Sequence, residues 1–176
     1  MQDPKHDEAG HIRNIMGAEA IQKLQQLAED ARTCMFLTQN GGTYYSARPM
    51  ALIKAEDDGS LYFFSAASSD KNRELSSNPS VQLLFANSAS SEYLDVMGNA
   101  TITRDRAKME SLWTDFARIW FQEGVDDPDL TLIQVVPESC RYWDTKHNKL
   151  VQWIKMGVSL VSGTTMDDGV EGKLSI

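Results

Sequence analysis

Apolar residues recur at helical spacing in two places only. Elsewhere they alternate with polar ones or run together in short blocks. In residues 17–32, Ile21, Leu24, Leu27, Ala28 and Ala31 fall on one face, which predicts an amphipathic helix. The pattern then shortens to the two-residue period of strands. Residues 33–38 read as a strand, Asn40-Gly41-Gly42 as a turn, and residues 43–55 as a second, longer strand interrupted by Pro49. A proline there marks a sheet edge or a bulge. The turn at 56–60 leads to a strand at 61–65. A short helix opens near Ser69 or Asp70 and stops before Asn78-Pro79.

Residues 81–86 form an apolar block suited to a central strand, and 92–103 another strand with a bulge expected at Gly98. Residues 105–121 read as one long helix whose Met109, Leu112, Trp113, Phe116 and Trp120 make a single stripe; Trp113 and Phe116 are assigned to the core, and Trp120 to either the core or a site. An acidic loop at 123–129 precedes strands near 130–136, 139–143 and 150–156. Residues 1–16 are expected to be a flexible lead-in, 17–157 the folded domain, and 158–176 a loosely docked tail. This alternation predicts a mainly β protein with rim helices, its sheet antiparallel and closed into a barrel so that few edges stay open. It has no GxGxxG following a strand and none of the strand–helix alternation of a dinucleotide fold.

With 176 residues and 41% hydrophobic content, one domain with a real core is expected. A net charge of −8 argues against nucleic acid or an anionic membrane as the main partner, since both require a basic face. No apolar run reaches the length of a membrane span, and the first residues do not read as a signal peptide. Cys34 and Cys140 form no motif and read as buried thiols of a reducing compartment, the cytoplasm by default. His6, His11 and His147 are too scattered for a metal site, and the acidic loop lacks the glycine and distal glutamate of a calcium loop, so it is expected to be solvated.

Two segments stand out against this background. In Ser46-Ala47-Arg48-Pro49-Met50-Ala51-Leu52-Ile53, an arginine interrupts a half-apolar strand beside a proline. It is either a solvated edge residue or part of a site. In the stretch from Phe63 to Leu75, a strand ends in small hydroxyl residues that open a helix with Lys71 in its first turn. That stretch is either a capped serine-rich loop or a phosphate cradle, since free amides and an ammonium at a helix start suit an anion. A first-turn lysine opposes the helix dipole, so helix stability does not explain it.

Taken in order, SARPMALI, LYFFSAASSDKNRELSSNPSVQLLFAN, YLDVMGNATITRD and WFQEGVDDPDLTLIQVVPESCRYWD resemble the pyridoxamine-phosphate-oxidase-like FMN-binding split barrels, in particular their bacterial general-stress-protein branch. The resemblance implies a six-stranded antiparallel split β-barrel whose homodimer holds FMN at the subunit interface. By motif, Arg48 and Lys71 would grip the FMN phosphate, helped by Ser65, Ser68 and Ser69. The backbone of Pro49, Met50 and Ala51 would line the ring edge, with Tyr93, Trp120 and Trp143 as aromatic contacts. It implies an FMN-dependent oxidoreductase, with NAD(P)H as a candidate second small molecule, or a flavin-binding stress protein without turnover. The C-terminal Arg-x-His pair of true pyridoxamine phosphate oxidases has no counterpart in residues 143–150, so that activity is not expected.

Overall fold

The computed structural model describes residues 11–145 and 169–176. Its strands are β1 (His11–Ile12), β2 (Ile15–Met16), β3 (Thr33–Gln39), β4 (Tyr45–Ala51), β5 (Lys54–Ala55), β6 (Leu61–Ala66), β7 (Ser80–Asn87), β8 (Glu92–Thr103), β9 (Leu130–Thr145) and β10 (Gly169–Ser175). The helices are α1 (Gly17–Ala31), α2 (Asp70–Ser77) and α3 (Arg106–Leu112), with 3₁₀ turns at Asp115–Ile119 and Gly124–Asp126. None of them, among the described residues, is long and apolar enough to cross a membrane.

The strands join one ten-stranded sheet ordered β1-β10-β9-β8-β7-β3-β4, with β2 on β10 and β6 carrying β5. It is mainly antiparallel, but β1 and β2 run parallel to β10, so the sheet is mixed. It also stays open, because among the described residues β4 pairs with β3 alone. The fully antiparallel closed barrel expected from the strand count is therefore replaced by an open mixed sheet. Past the end of β4, the Ile53 amide donates to the Tyr62 carbonyl of β6 (2.9 Å), and β5 then pairs with β6 through Lys54–Tyr62 and Ala55–Leu61.

Strand β9 organises the sheet. One edge pairs with β8 along its length; the other carries β6 against its first half and β10 against its second. The sequence suggests two short strands here, divided at Pro137, yet the chain runs through as one. The register slips opposite Gly98, placing Met97 across from Ser139 and Gly98 across from Pro137, which leaves Glu138 as the extra residue. A bulge thus absorbs the proline without ending the strand. Only glycine fits at 98, since a Cβ there would lie 2.3 Å from the Val136 carbonyl oxygen.

The buried face of α1 (Ala20, Leu24, Leu27, Ala28) packs with Phe36, Leu83, Val96 and Tyr142 in the main core. A second cluster joins Tyr62, Leu130 and Leu132 to Met109 and Phe121. Strand β6 and the start of β9 are covered on both faces, which is why LYFF reads as a continuous apolar run and LTLI breaks only at the buried, hydrogen-bonded Thr131.

Two expectations change. The long helix of 105–121 breaks at Trp113 and Thr114, both extended, and restarts as the 3₁₀ turn. Trp113 packs on Phe64 as expected of a core residue, but Phe116 is 56% exposed, so it is not core. The single helical stripe ends where the backbone turns. In addition, residues 11–16 and 169–175 are paired strands instead of loose ends. The second half of β9 extends past β6 and offers them an unpaired edge. The strand expected at 150–156, and His6 and His147, lie outside the described residues.

Gly98→Ala should lower stability by about 1–3 kcal/mol, the usual range for overpacking, because backbone atoms and not a flexible side chain must move. Urea denaturation should show a lower midpoint with an unchanged slope.

Candidate functional site

Because β4 and β6 diverge beyond Ile53, a cleft of about 570 Å³ opens between them. Pro49, Met50, Ala51 and Ile53 line one side, Phe64, Ser65 and Ala66 the other. Lys71 lies at one end, and Phe116, Ala117, Trp120 and Phe121 form a further wall, with Asp127 and Asp129 at the rim. The volume suits a cofactor-sized ligand, and the lining is mostly apolar with few polar groups, as in most small-molecule sites. The outer edge of β4 brings backbone groups without a strand partner to this space.

Lys71 is the unusual member. It sits in the first turn of α2, whose N-cap Ser69 accepts from the Asn72 amide (3.3 Å). The residue is only 8% exposed. Its ammonium donates to Ser65 Oγ at 2.5 Å and, more distantly, to Ser69 Oγ at 3.5 Å. Among the described residues no carboxylate pairs with it. Burial first, and the Arg48 charge second, lower its pKa from the ordinary 10.5 to about 8, with Glu74 acting in the opposite sense.

The support beneath Lys71 is fully hydrogen-bonded. Ser65 donates its hydroxyl proton to Asn72 Oδ1 (2.6 Å), Asn72 Nδ2 donates to Thr131 Oγ1 (2.9 Å), and Thr131 donates back to the Ser65 carbonyl (2.7 Å). A serine hydroxyl has one proton. In this arrangement Ser65 is committed to Asn72 and serves Lys71 as an acceptor, fixing the ammonium instead of offering a donor of its own.

Arg48 points from β4 away from the cleft lining. It donates to Glu74 Oε2 (2.8 Å), to the Phe36 carbonyl (3.4 Å) and to Thr38 Oγ1. Glu74 also accepts from Thr38 (2.5 Å) and Ser46 (3.0 Å). Burial pushes the Glu74 carboxyl up, but these hydrogen bonds and the Arg48 charge outweigh it and hold the group below its ordinary pKa.

Of the residues singled out by sequence, Pro49, Met50, Ala51, Ser65, Lys71 and Trp120 thus come together in one cleft. Ser69 caps the helix that carries Lys71. Ser68 is held by Asp129, which accepts from its amide and its hydroxyl, both at 2.8 Å. Asp129 is therefore a structural partner of the Ser68 loop and not merely solvated, and those bonds lower its pKa. Tyr93 and Trp143 lie elsewhere, directly opposite each other on the outer face of β8 and β9, with Trp143 Nε1 donating to Glu171 (2.8 Å). Phe116 and Glu74 are members that sequence reasoning missed. Phe116 meets Trp120 edge to face at 5.0 Å, where the 3₁₀ turn ends in the helical backbone of Trp120. The signal for Glu74 was its position three residues after Lys71. Cys34 and Cys140 are buried thiols pushed up to about 12 by burial, as their apolar strands suggested.

An open mixed β sheet, a helix-start lysine and a cleft at the parted strands are thus the features that place this chain among known proteins. The chain matches the family described as Pyridoxamine 5'-phosphate oxidase like over residues 19–167, and it belongs to that family. General stress protein 26 of Bacillus subtilis (strain 168) is 27% identical over 88 residues, which cover 48% of this chain and 62% of that protein. The chain spans less than two thirds of the length of the curated relatives it matches. In fold, it superposes with a TM-score of 0.77 on a candidate general stress protein 26 from Jannaschia sp. CCS1, at 22% identity, covering 91% of this chain and all of that one. A general stress FMN/FAD binding protein from Xanthomonas citri has the same fold, with a TM-score of 0.62 at 23% identity and coverage of 73% and 90%.

Burial of Lys71 has a consequence for stability. Its proton is held less tightly in the folded chain than in the unfolded one. Between about pH 8 and 10.5 the unfolded chain carries more protons, so this residue's contribution to stability rises with pH. Below about pH 8 the full penalty is present. Lys71→Met should therefore stabilise the protein by about 1–3 kcal/mol at pH 7, and the gain should vanish as the pH approaches 10.5. Urea titrations of both proteins at pH 7 and pH 10 test this.

Proposed function

We propose that the cleft binds FMN, with the phosphate on Lys71 and the ring along the edge of β4. The observation that carries this reading is a buried ammonium with hydroxyl partners and no carboxylate, facing a cleft. A buried charge is normally paired, and an anionic group of a ligand would supply the missing partner. The first-turn amides of α2 add donors to the same place. Pro49, Met50 and Ala51 would flank the ring, and Trp120 and Phe116 offer aromatic surface beside it. Flavin binding by the Xanthomonas citri relative supports the assignment.

The flavin would supply hydride or electron transfer, while the chain supplies position and electrostatics. The reading favoured is an FMN-dependent oxidoreductase with NAD(P)H as a candidate electron source. Flavin binding without turnover is the second reading: besides Lys71, the ionisable residues lining the cleft are the rim carboxylates Asp127 and Asp129, which accept hydrogen bonds from the Asp129 amide and from Ser68. NAD(P)H oxidation by the flavin-loaded protein separates the two.

A second copy of the chain is the proposed partner. The outer sheet face presents Met35, Leu84, Tyr93, Met97 and Trp143 to solvent, each 39–44% exposed. Their register places Met35 beside Leu84 and Tyr93 beside Trp143. Pro49 belongs both to this face, opposite Met35, and to the cleft, so a copy seated here would border the flavin site. In such a dimer Tyr93 and Trp143 could reach the site of the other subunit.

FMN should bind at least tenfold better than riboflavin, which lacks the phosphate. Lys71→Met should weaken FMN about tenfold to a hundredfold while leaving riboflavin nearly unchanged, since charge-assisted hydrogen bonds contribute about 1.5–3 kcal/mol. Flavin-fluorescence titrations check this, and equal affinities for the two flavins would refute the phosphate assignment. Light scattering should give twice 19.7 kDa, and Leu84→Lys should shift the protein toward the monomer.

A further inference from the structure

The β3–β4 hairpin, whose second strand lines the cleft, turns through residues 40–44, with Gln39 and Tyr45 as the last pair before the turn. The turn opens on Asn40-Gly41, the one Asn-Gly pair in the sequence; every other asparagine precedes a residue with a side chain. Asn40, Gly41 and Gly42 are all exposed. Gly41 has a φ of +82°, and the space where a Cβ would stand is open. Nothing crowds its nitrogen from that side. Among the described residues, no hydrogen bond engages the Gly41 amide.

The Asn40 side chain is held at both ends. Its Oδ1 accepts from the Gly42 amide at 3.0 Å, and its Nδ2 donates to Ser46 Oγ at 3.1 Å. The first bond closes a ring of atoms that includes the Gly41 nitrogen, so the carboxamide is folded back over the backbone that follows it. It also places an N–H donor on the oxygen that takes up negative charge when the carboxamide carbon is attacked.

We propose that Asn40 is a site of spontaneous deamidation in the folded protein, and that the change loosens the β3–β4 hairpin from Glu74. The Gly41 nitrogen gives up its proton to water or hydroxide and attacks Asn40 Cγ. As that bond forms, the Cγ–Nδ2 bond breaks, and the side-chain nitrogen leaves as ammonia with a proton taken from water. A cyclic imide remains. Water then adds to one of its two carbonyls. Cleavage at Cγ gives aspartate; cleavage at the main-chain carbonyl carbon gives isoaspartate, which lengthens the backbone by a methylene. Water is consumed and ammonia released, with no oxidation or reduction.

The link to Glu74 runs through Ser46, which accepts from Asn40 and donates its single proton to Glu74 Oε1 at 3.0 Å. Glu74 also takes donors from Thr38 on β3 and Arg48 on β4, so this one carboxylate fastens both strands of the hairpin to α2. A carboxylate at position 40 can only accept. Two carboxylates then compete for the Ser46 proton, and their like charges repel across it. Arg73, which lines the same surface pocket as Asn40 and Glu74, is already engaged by Asp70 and the Ser68 carbonyl. Isoaspartate, with its longer backbone, displaces the turn as well.

The test ages the full-length protein in mildly alkaline buffer, beside a synthetic peptide of residues 33–48. Mass spectrometry of a digest reads amide loss at each asparagine, and a protein isoaspartyl methyltransferase reads isoaspartate. Asn40 in the folded protein should convert within about threefold of the peptide rate, and at least about tenfold faster than Asn14, Asn87 and Asn99. Asn40→Ser keeps an oxygen for the Gly42 amide but cannot cyclise, and its residue 40 should stay unchanged. In Asn40→Asp, amide exchange across β3 and β4 should quicken about threefold to tenfold while α1 exchanges as in the parent. An Asn40 that persists while the peptide converts, or that converts no faster than the other three asparagines, would overturn the modification site. Conversion without faster exchange in Asn40→Asp would overturn the link to Glu74 and leave the site standing.

Discussion

The Ile53 amide donates to the Tyr62 carbonyl at 2.9 Å, and past that bond β4 and β6 part. The sheet comes within one strand pairing of closing, and the failure to close creates the site. β6 is held from behind by β9, while β4 is held by β3, so each of the parted strands keeps one satisfied edge. Pro49 lies on the open strand, where a residue without an amide hydrogen is tolerated. The cleft is then walled by backbone edge on one side and by small and apolar side chains on the other. The broken helix after α3 brings Phe116 and Trp120 to its mouth.

The polar end of the cleft is arranged at some expense of stability. A buried ammonium with no carboxylate partner among the described residues weakens the fold wherever it is charged, and a hydrocarbon would serve packing better. The chain instead spends a closed set of hydrogen bonds through Ser65, Asn72 and Thr131 on holding that ammonium in one place. Close to it, Glu74 accepts three donors, keeping the Arg48 charge near without letting it occupy the cleft. Such an arrangement is hard to explain as packing alone. Under the proposed function, it would order the donor for an anionic group before the ligand arrives.

The outer sheet face has a different logic. Met35, Leu84, Met97 and the Tyr93–Trp143 pair occupy the solvent side of strands whose other side is core. Alternation placed them there, and alternation normally makes that side polar. On this face the apolar residues are interspersed with Gln82, Asp95 and Arg141, and Pro49, opposite Met35, borders both the face and the cleft.

Much of this was legible before any coordinates. The period of apolar residues gave α1, the β3–β4 hairpin with its Asn-Gly-Gly turn, α2 and the central strands. Gly98 announced its bulge, and the two segments around Arg48 and Lys71 stood out because each broke a local rule. What the sequence could not supply were relations between distant residues. One period cannot show that Trp113 stays in the core while Phe116 turns outward, since the backbone breaks between them. A short, weakly patterned strand such as β10 exists only because β9 outruns β6 and leaves an edge to fill. The identity of Arg48 and Lys71 as unusual residues was local and therefore readable. That Arg48 faces Glu74 while Lys71 faces the cleft was decided by which strand edges found partners, and that is a property of the tertiary structure alone.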